Sequence, residues 1–275
     1  MPTEKVLGRS NYDTLCARVS FVSSCAILRD AASFLKASLV VVLAFVNSPA
    51  TANTIDSSLT PMSEERSPCT AFTDDATYVD FSIRMQLEDR HVPMRVPKQY
   101  FEDFWDRKSG YETTSQLFSV EIGSFAPVSR PETSKRNRVG VHNWFTFNTT
   151  DVVPLDEVAA IHMKLSILIK DRKRISGVFT RLPGPHGLYE LGFSGVQPQF
   201  RRPENVYIAE SPSKGLTSVL ECDAPDSVLN PGCQLNFRAS GMDVTLNFQR
   251  SDLPNWREFQ ADTTQFLNCA TSSGA

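Results

Sequence analysis

The side chains of this chain whose type and spacing could do chemistry are few: four histidines, a serine in a Gly-x-Ser-Gly run, adjacent acids such as Glu64-Glu65 and Asp74-Asp75, and six cysteines. Gly192-Phe193-Ser194-Gly195-Val196 follows the spacing of a nucleophile elbow until its last position, where valine replaces glycine. Such an elbow exposes its serine on a sharp turn from strand to helix, and Gln197-Pro198 starts no helix, so Ser194 reads as an ordinary residue. His162 alternates with Lys164 and reads as a solvated imidazole on the wet side of a strand. His186 sits in Pro183-Gly184-Pro185-His186-Gly187, a tight loop. Loops also carry catalytic groups, so a hydrolase site would have to join His142 or His186 to a distant acid such as Glu190. Glu64-Glu65 and Asp74-Asp75 are adjacent acids that point apart in an extended chain. No phosphate loop, dinucleotide fingerprint or calcium loop occurs, and no cofactor is expected.

Two stretches have recognition chemistry instead. Arg130, Lys135, Arg136 and Arg138 precede His142, Asn143 and Trp144, so basic charge lies beside an aromatic ring that would grip an acidic protein or a phosphate-bearing envelope molecule. The ordinary alternative is a solvated loop with Trp144 buried in the next element. On the C-terminal strands, Gln234, Asn236, Arg238, Thr245, Asn247 and Gln249 share one polar face that would suit a protein or glycan, and would equally be plain sheet surface.

The compartment is set by residues 35–52. Lys36 supplies a basic start, Ala37 to Val46 an apolar run of ten, and Ala50-Thr51-Ala52 a small-x-small cleavage site, as in a secretory signal peptide. An anchor that crosses the hydrocarbon needs about 20 apolar residues, and Asn47-Ser48-Pro49 ends this run too early. Residues 1–34 carry mixed charge and no single apolar core. A translation start at Leu35 would place them outside the protein. Val22-Ser23-Ser24-Cys25 resembles a lipoprotein box, but Arg18 interrupts the stretch before it.

Cleavage after Ala52 would leave 223 residues with a net charge of −5. That balance speaks against general nucleic-acid binding, which neutralises phosphates with Lys and Arg. Cys69, Cys222, Cys233 and Cys269 remain, an even number that in an exported chain points to disulfides. Zinc is the rival reading, and no Cys-x-x-Cys or His-x-x-x-His spacing supports a metal. Cys222 and Cys233 flank the turn sequence Asn230-Pro231-Gly232, which favours that pair and leaves Cys69 with Cys269.

These residues must be positioned by strands and helices readable from periodicity. Val79 to Glu88 alternates strictly, and Val92, Met94 and Val96 alternate again, giving a hairpin over 79–96 with Pro93 on an edge. Pro97 is expected to open a helix to about Lys108, with Tyr100, Phe101, Phe104 and Trp105 as its core stripe. Phe118, Val120 and Ile122 make a strand. Ile161, Met163, Leu165, Ile167 and Ile169 alternate and are expected to make another. A short strand is expected near Leu188 to Leu191 within the loop of Gly184 to Pro203, and an exposed loop over Ser124 to Gly140.

Thr217 to Cys222, Cys233 to Arg238 and Met242 to Phe248 read as successive strands, followed by a helix over 252–268 with Trp256, Phe259, Thr263, Phe266 and Leu267 inward. Together these give an α+β domain over 77–270, with antiparallel sheets built from hairpins and helices packed on one face. Residues 53–76 form a lead-in, and each half runs from hairpin to Trp-bearing helix, as two similar halves would. The expected function is a non-enzymatic protein-binding module, periplasmic or extracellular, such as an immunity-type inhibitor or an accessory factor.

Overall fold

Period-two sequence becomes sheet with two different faces, and both faces are covered in part by helices. The computed structural model describes residues 67–102, 104–151, 153–166, 179–193 and 204–272. The signal segment, the residues before it, Glu64-Glu65, most of the lead-in and Ser194 to Val196 lie outside them.

Strands β1 (Tyr78–Met85) and β2 (Arg90–Pro97) form the expected hairpin, with β3 (Tyr111–Thr113) parallel to β1 on its other side. Pro93 pairs with Ser82 on the edge strand β2, where its missing donor costs nothing. The second sheet has eight antiparallel strands: β4 (Gln116–Glu121), β5 (Trp144–Thr150), β6 (Phe179–Pro183), β7 (Tyr189–Phe193), β8 (Glu204–Ser211), β9 (Gly215–Asp223), β10 (Gly232–Ala239) and β11 (Met242–Gln249). Their order across the sheet is β4-β5-β11-β10-β9-β8-β7-β6. The last six strands of the chain thus form a meander, and β11 returns to pair with β5.

The apolar side of this sheet carries the main core. Phe118, Phe145, Phe147, Leu220, Leu235, Phe237, Val244 and Leu246 point to α3 (Trp256–Ser272) and the smaller sheet. Phe266 of α3 is fully buried, with its ring 5.3 to 5.8 Å from those of Phe118, Phe125 and Phe147. Trp256, Phe259, Thr263, Phe266 and Leu267 are all buried, so the helical stripe read from the sequence is the one used.

Both disulfides join the expected partners. Cys222 and Cys233 face each other in register across β9 and β10, with Cα atoms 4.1 Å apart. Cys69, in a 3-10 turn (Pro68–Ala71), bonds Cys269 near the end of α3.

Three local expectations change. The stretch 97–108 is two 3-10 turns, Lys98–Tyr100 and Phe104–Arg107, because Phe101 between them is extended, at φ −95° and ψ 122°. Tyr100 then packs on Phe266 and Phe101 on Phe81 and Phe118. Trp105 lies outside the core, 75% exposed.

The basic stretch is no loop but helix α1 (Arg130–Arg138). It buries none of its residues, so it leaves no apolar period to read. Its order rests on Pro131, whose fixed φ suits the first turn, and on Glu132 in the first turn and Lys135, Arg136 and Arg138 in the last, charges that complement the helix dipole.

The expected strand at 161–169 is also a helix as far as it is described: α2 (Leu155–Leu165). Leu155, Val158, Ala159, His162, Met163 and Ser166 fall at spacings of three and four, and this longer period wins over the five-residue alternation. Ile167 and Ile169 lie outside the described residues. Met163 and Ala159 of α2 pack on Val206, Ile208 and Val219, the apolar part of the sheet's second face.

Candidate functional site

Where α2 ends, that second face turns polar and hollow. The strands alternate, so residues opposite core side chains are delivered here: Glu221 and Asp223 from β9, Gln234 from β10, Asn247 and Gln249 from β11, Trp144 and Thr146 from β5. With His142, Leu165 and Glu204 they line a concavity of about 530 Å³. Carboxylates, side-chain amides and a tryptophan are thus gathered from elements far apart in the chain. Three of the six amide and hydroxyl residues foreseen as a polar face, Gln234, Asn247 and Gln249, line it.

The wall beside α2 is a chain of polar contacts. His162 is buried on α2, not solvated on a strand, with Nδ1 2.6 Å from Glu221 Oε2 and Nε2 3.3 Å from Asn236 Nδ2. Thr245 Oγ1 donates to Asn236 Oδ1 at 2.9 Å, and Gln234 Nε2 reaches the same oxygen at 3.4 Å. Two donors on Oδ1 fix the amide, so Asn236 Nδ2 donates to His162 Nε2, while the buried Nδ1 lies against the Glu221 carboxylate without an aligned hydrogen bond. The ring thus contacts two strands, by a hydrogen bond at Nε2 and a close charge contact at Nδ1. His162 therefore clasps α2 to the sheet through Asn236 on β10 and Glu221 on β9.

At the other end, His142 packs against Trp144 with ring centroids 5.6 Å apart and planes tilted by 36°. Its Nδ1 is buried and meets no hydrogen-bond partner among the described residues. Asp252 lies near it; burial raises the carboxyl above its ordinary value, and the charge of His142 opposes that rise. Asp223 closes the lower rim, its Oδ2 accepting from Gly232 N at 2.9 Å and its carbonyl from the Arg250 guanidinium.

The structure divides the basic set foreseen with Trp144. Arg130 pairs with Glu102 at 2.8 Å and lines a different hollow, with Asp106, Tyr111 and Glu112. Arg136 donates to Glu121 at 3.0 Å and to Asn143 at 2.8 Å, and also pairs with Glu132. Glu121 is held below the usual carboxylate range, first by the Ser124 hydroxyl and then by Arg136 and Asn143, against the opposing cost of burial. Lys135 and Arg138 stand exposed on α1. Trp144 alone of the five reaches the concavity.

His186 and Glu190 lie elsewhere. His186 occupies the left-handed region at φ 53° and its carbonyl accepts from Trp256 Nε1 at 3.3 Å, while Glu190 on β7 accepts from Asn205. Among the described residues, no group of three or more His, Cys, Asp or Glu side chains is placed to hold a metal ion, and no helix is long and apolar enough to cross a membrane.

No protein-family model and no curated relative matches the chain. Among solved structures it is similar to an immunity protein of the Stenotrophomonas maltophilia type IV secretion system, at 15% identity and a TM-score of 0.46, covering 71% of this chain and 95% of that one. It is similar also to the iron-regulated outer membrane lipoprotein FrpD of Neisseria meningitidis, at 11% identity and a TM-score of 0.43, covering 71% of this chain and 92% of that one.

The acids Glu221 and Asp223 were not foreseen as site residues. Their signal was present in β9, where they alternate with Leu220 and Cys222. What the sequence does not carry is the strand order that places them opposite Trp144.

Proposed function

We propose that this chain is an exported, non-enzymatic protein-binding module of the cell envelope, and that the concavity beside α2 receives a basic segment of its partner. The lining carries the reading: Glu221, Asp223 and Glu204 supply negative charge, Trp144 an aromatic wall and Gln234, Asn247 and Gln249 amides that donate and accept. A guanidinium or ammonium group is complementary to all three, since it pairs with carboxylates and stacks on an indole face. The two disulfides fit an oxidising compartment. Within this class, an immunity-type inhibitor of a toxin or an accessory envelope factor fits the surface.

The test compares wild type with a Glu204→Gln, Glu221→Gln, Asp223→Asn variant as baits for the envelope proteins of the source cell, both shown folded by circular dichroism. We expect one protein to be retained at micromolar concentration by wild type, weakened by added salt and lost from the variant. No retained protein, or equal retention by the variant, would overturn the reading.

A further inference from the structure

The loop between β9 and β10 leaves from the rim of the concavity, since Asp223 and Gly232 at its two ends both line it. At its tip Leu229 is 95% exposed and Val228 beside it 49%. A single exposed leucine is ordinary. This one stands on a loop whose base is held by several independent means.

The Cys222–Cys233 bond closes the loop immediately below its ends. Asp223 Oδ2 accepts from Gly232 N at 2.9 Å across the base, and Arg250 N donates to the Pro231 carbonyl at 2.9 Å. The Ser227 amide and hydroxyl both donate to the Ala224 carbonyl, at 3.1 and 2.8 Å, turning the chain just before the tip. Pro225 and Pro231 restrict the backbone on either side. The conformational cost of holding an apolar tip in water has therefore been met before any partner arrives, which is how a preorganised anchor gains affinity.

We propose that Leu229 is the hydrophobic anchor of the partner interaction, entering an apolar socket on the same protein whose basic segment fills the concavity. This rests on the protein-binding reading above and adds the second half of the interface: a basic segment bordered by a socket the size of a leucine side chain. A lipid surface is the other apolar medium such a tip would suit. Asp223, Asp226 and Glu221 around the loop carry negative charge, which anionic headgroups repel and a basic protein surface attracts.

The experiment places a photo-crosslinking phenylalanine analogue in the full chain at position 229, at 249 in the concavity, or at 182, where the exposed Leu182 on β6 serves as control. Each chain is irradiated in the envelope of the source cell and its adducts are identified by mass spectrometry. We expect one and the same protein to be trapped from 229 and from 249, and not from 182. Leu229→Asp should lower the yield at 249 about 30-fold, equivalent to about 2 kcal/mol.

A protein trapped at 249 but not at 229, or an unchanged yield at 249 with Leu229→Asp, overturns the anchor and leaves the concavity reading intact. No protein trapped from either position overturns both. A lipid adduct at 229 overturns the protein anchor in favour of a membrane.

Discussion

Replacing Cys69 and Cys269 with alanine should cost far more stability than the contacts of either residue account for. Both are only partly buried, so removing their sulfurs takes little packing with it. The bond, however, closes a loop with a sequence separation of 200. Chain entropy removed from the unfolded state grows with the logarithm of loop length, and for a loop of this size amounts to about 5 kcal/mol at room temperature. The nested Cys222–Cys233 bond, with a separation of 11, shortens that loop too little to change the logarithm.

Local pins remain in the variant. Gln265 Nε2 still donates to Ser67 Oγ at 2.7 Å, and the Phe72 ring still packs on Phe266 at 5.3 Å, so the segment around Cys69 stays on α3. Urea unfolding, followed by tryptophan fluorescence, should therefore show a native signal close to wild type and a midpoint loss equivalent to about 5 kcal/mol. In a thermal scan this is a fall of roughly 10–20 °C. The denaturant slope should rise, because the uncrosslinked unfolded chain exposes more surface. Either single Cys→Ala change should cost as much as the double, since both abolish one bond. A loss under about 2 kcal/mol with an unchanged slope would refute the reasoning.

Two further outcomes follow from packing and charge. Met163→Ala removes a fully buried side chain between α2 and the sheet; it should cost about 2–4 kcal/mol, and amide exchange should accelerate over Leu155–Leu165 more than over α3. Unchanged exchange in α2 would show that the His162 clasp alone holds the helix. Glu121 is ionised below the ordinary carboxylate range in the fold, so its stabilisation is present at neutral pH and is lost as pH falls through the folded-state value. Glu121→Gln should accordingly be less stable than wild type near pH 7, with the difference narrowing toward about pH 3 in urea titrations; a constant difference would remove Glu121 as the electrostatic tether of α1.

Strands with one wet face announce themselves, and β1, β2, β4, β10 and β11 were legible from alternation alone. So was the inward stripe of α3, whose residues repeat at three and four. Both disulfides were legible because the pairing needed only an even count, one turn and elimination. Helix α1 was not, since nothing in it is buried and its order comes from terminal charges and Arg136. Helix α2 was hidden by an accidental alternation from Ile161 to Leu165 that competes with its true helical period.

The sequence by itself determined which residues of each strand face opposite ways, because side chains alternate whatever the strand pairs with. Which strands lie side by side, and therefore which polar residues meet, was decided only by the tertiary structure. Thr146 stands opposite Asn247, Asn247 opposite Gln234 and Gln234 opposite Glu221, because β5 pairs with β11, β11 with β10 and β10 with β9. That order is a property of non-local packing: the Phe147, Leu246 and Leu235 side chains fill one core beneath α3, and the acids and amides opposite them converge as a consequence.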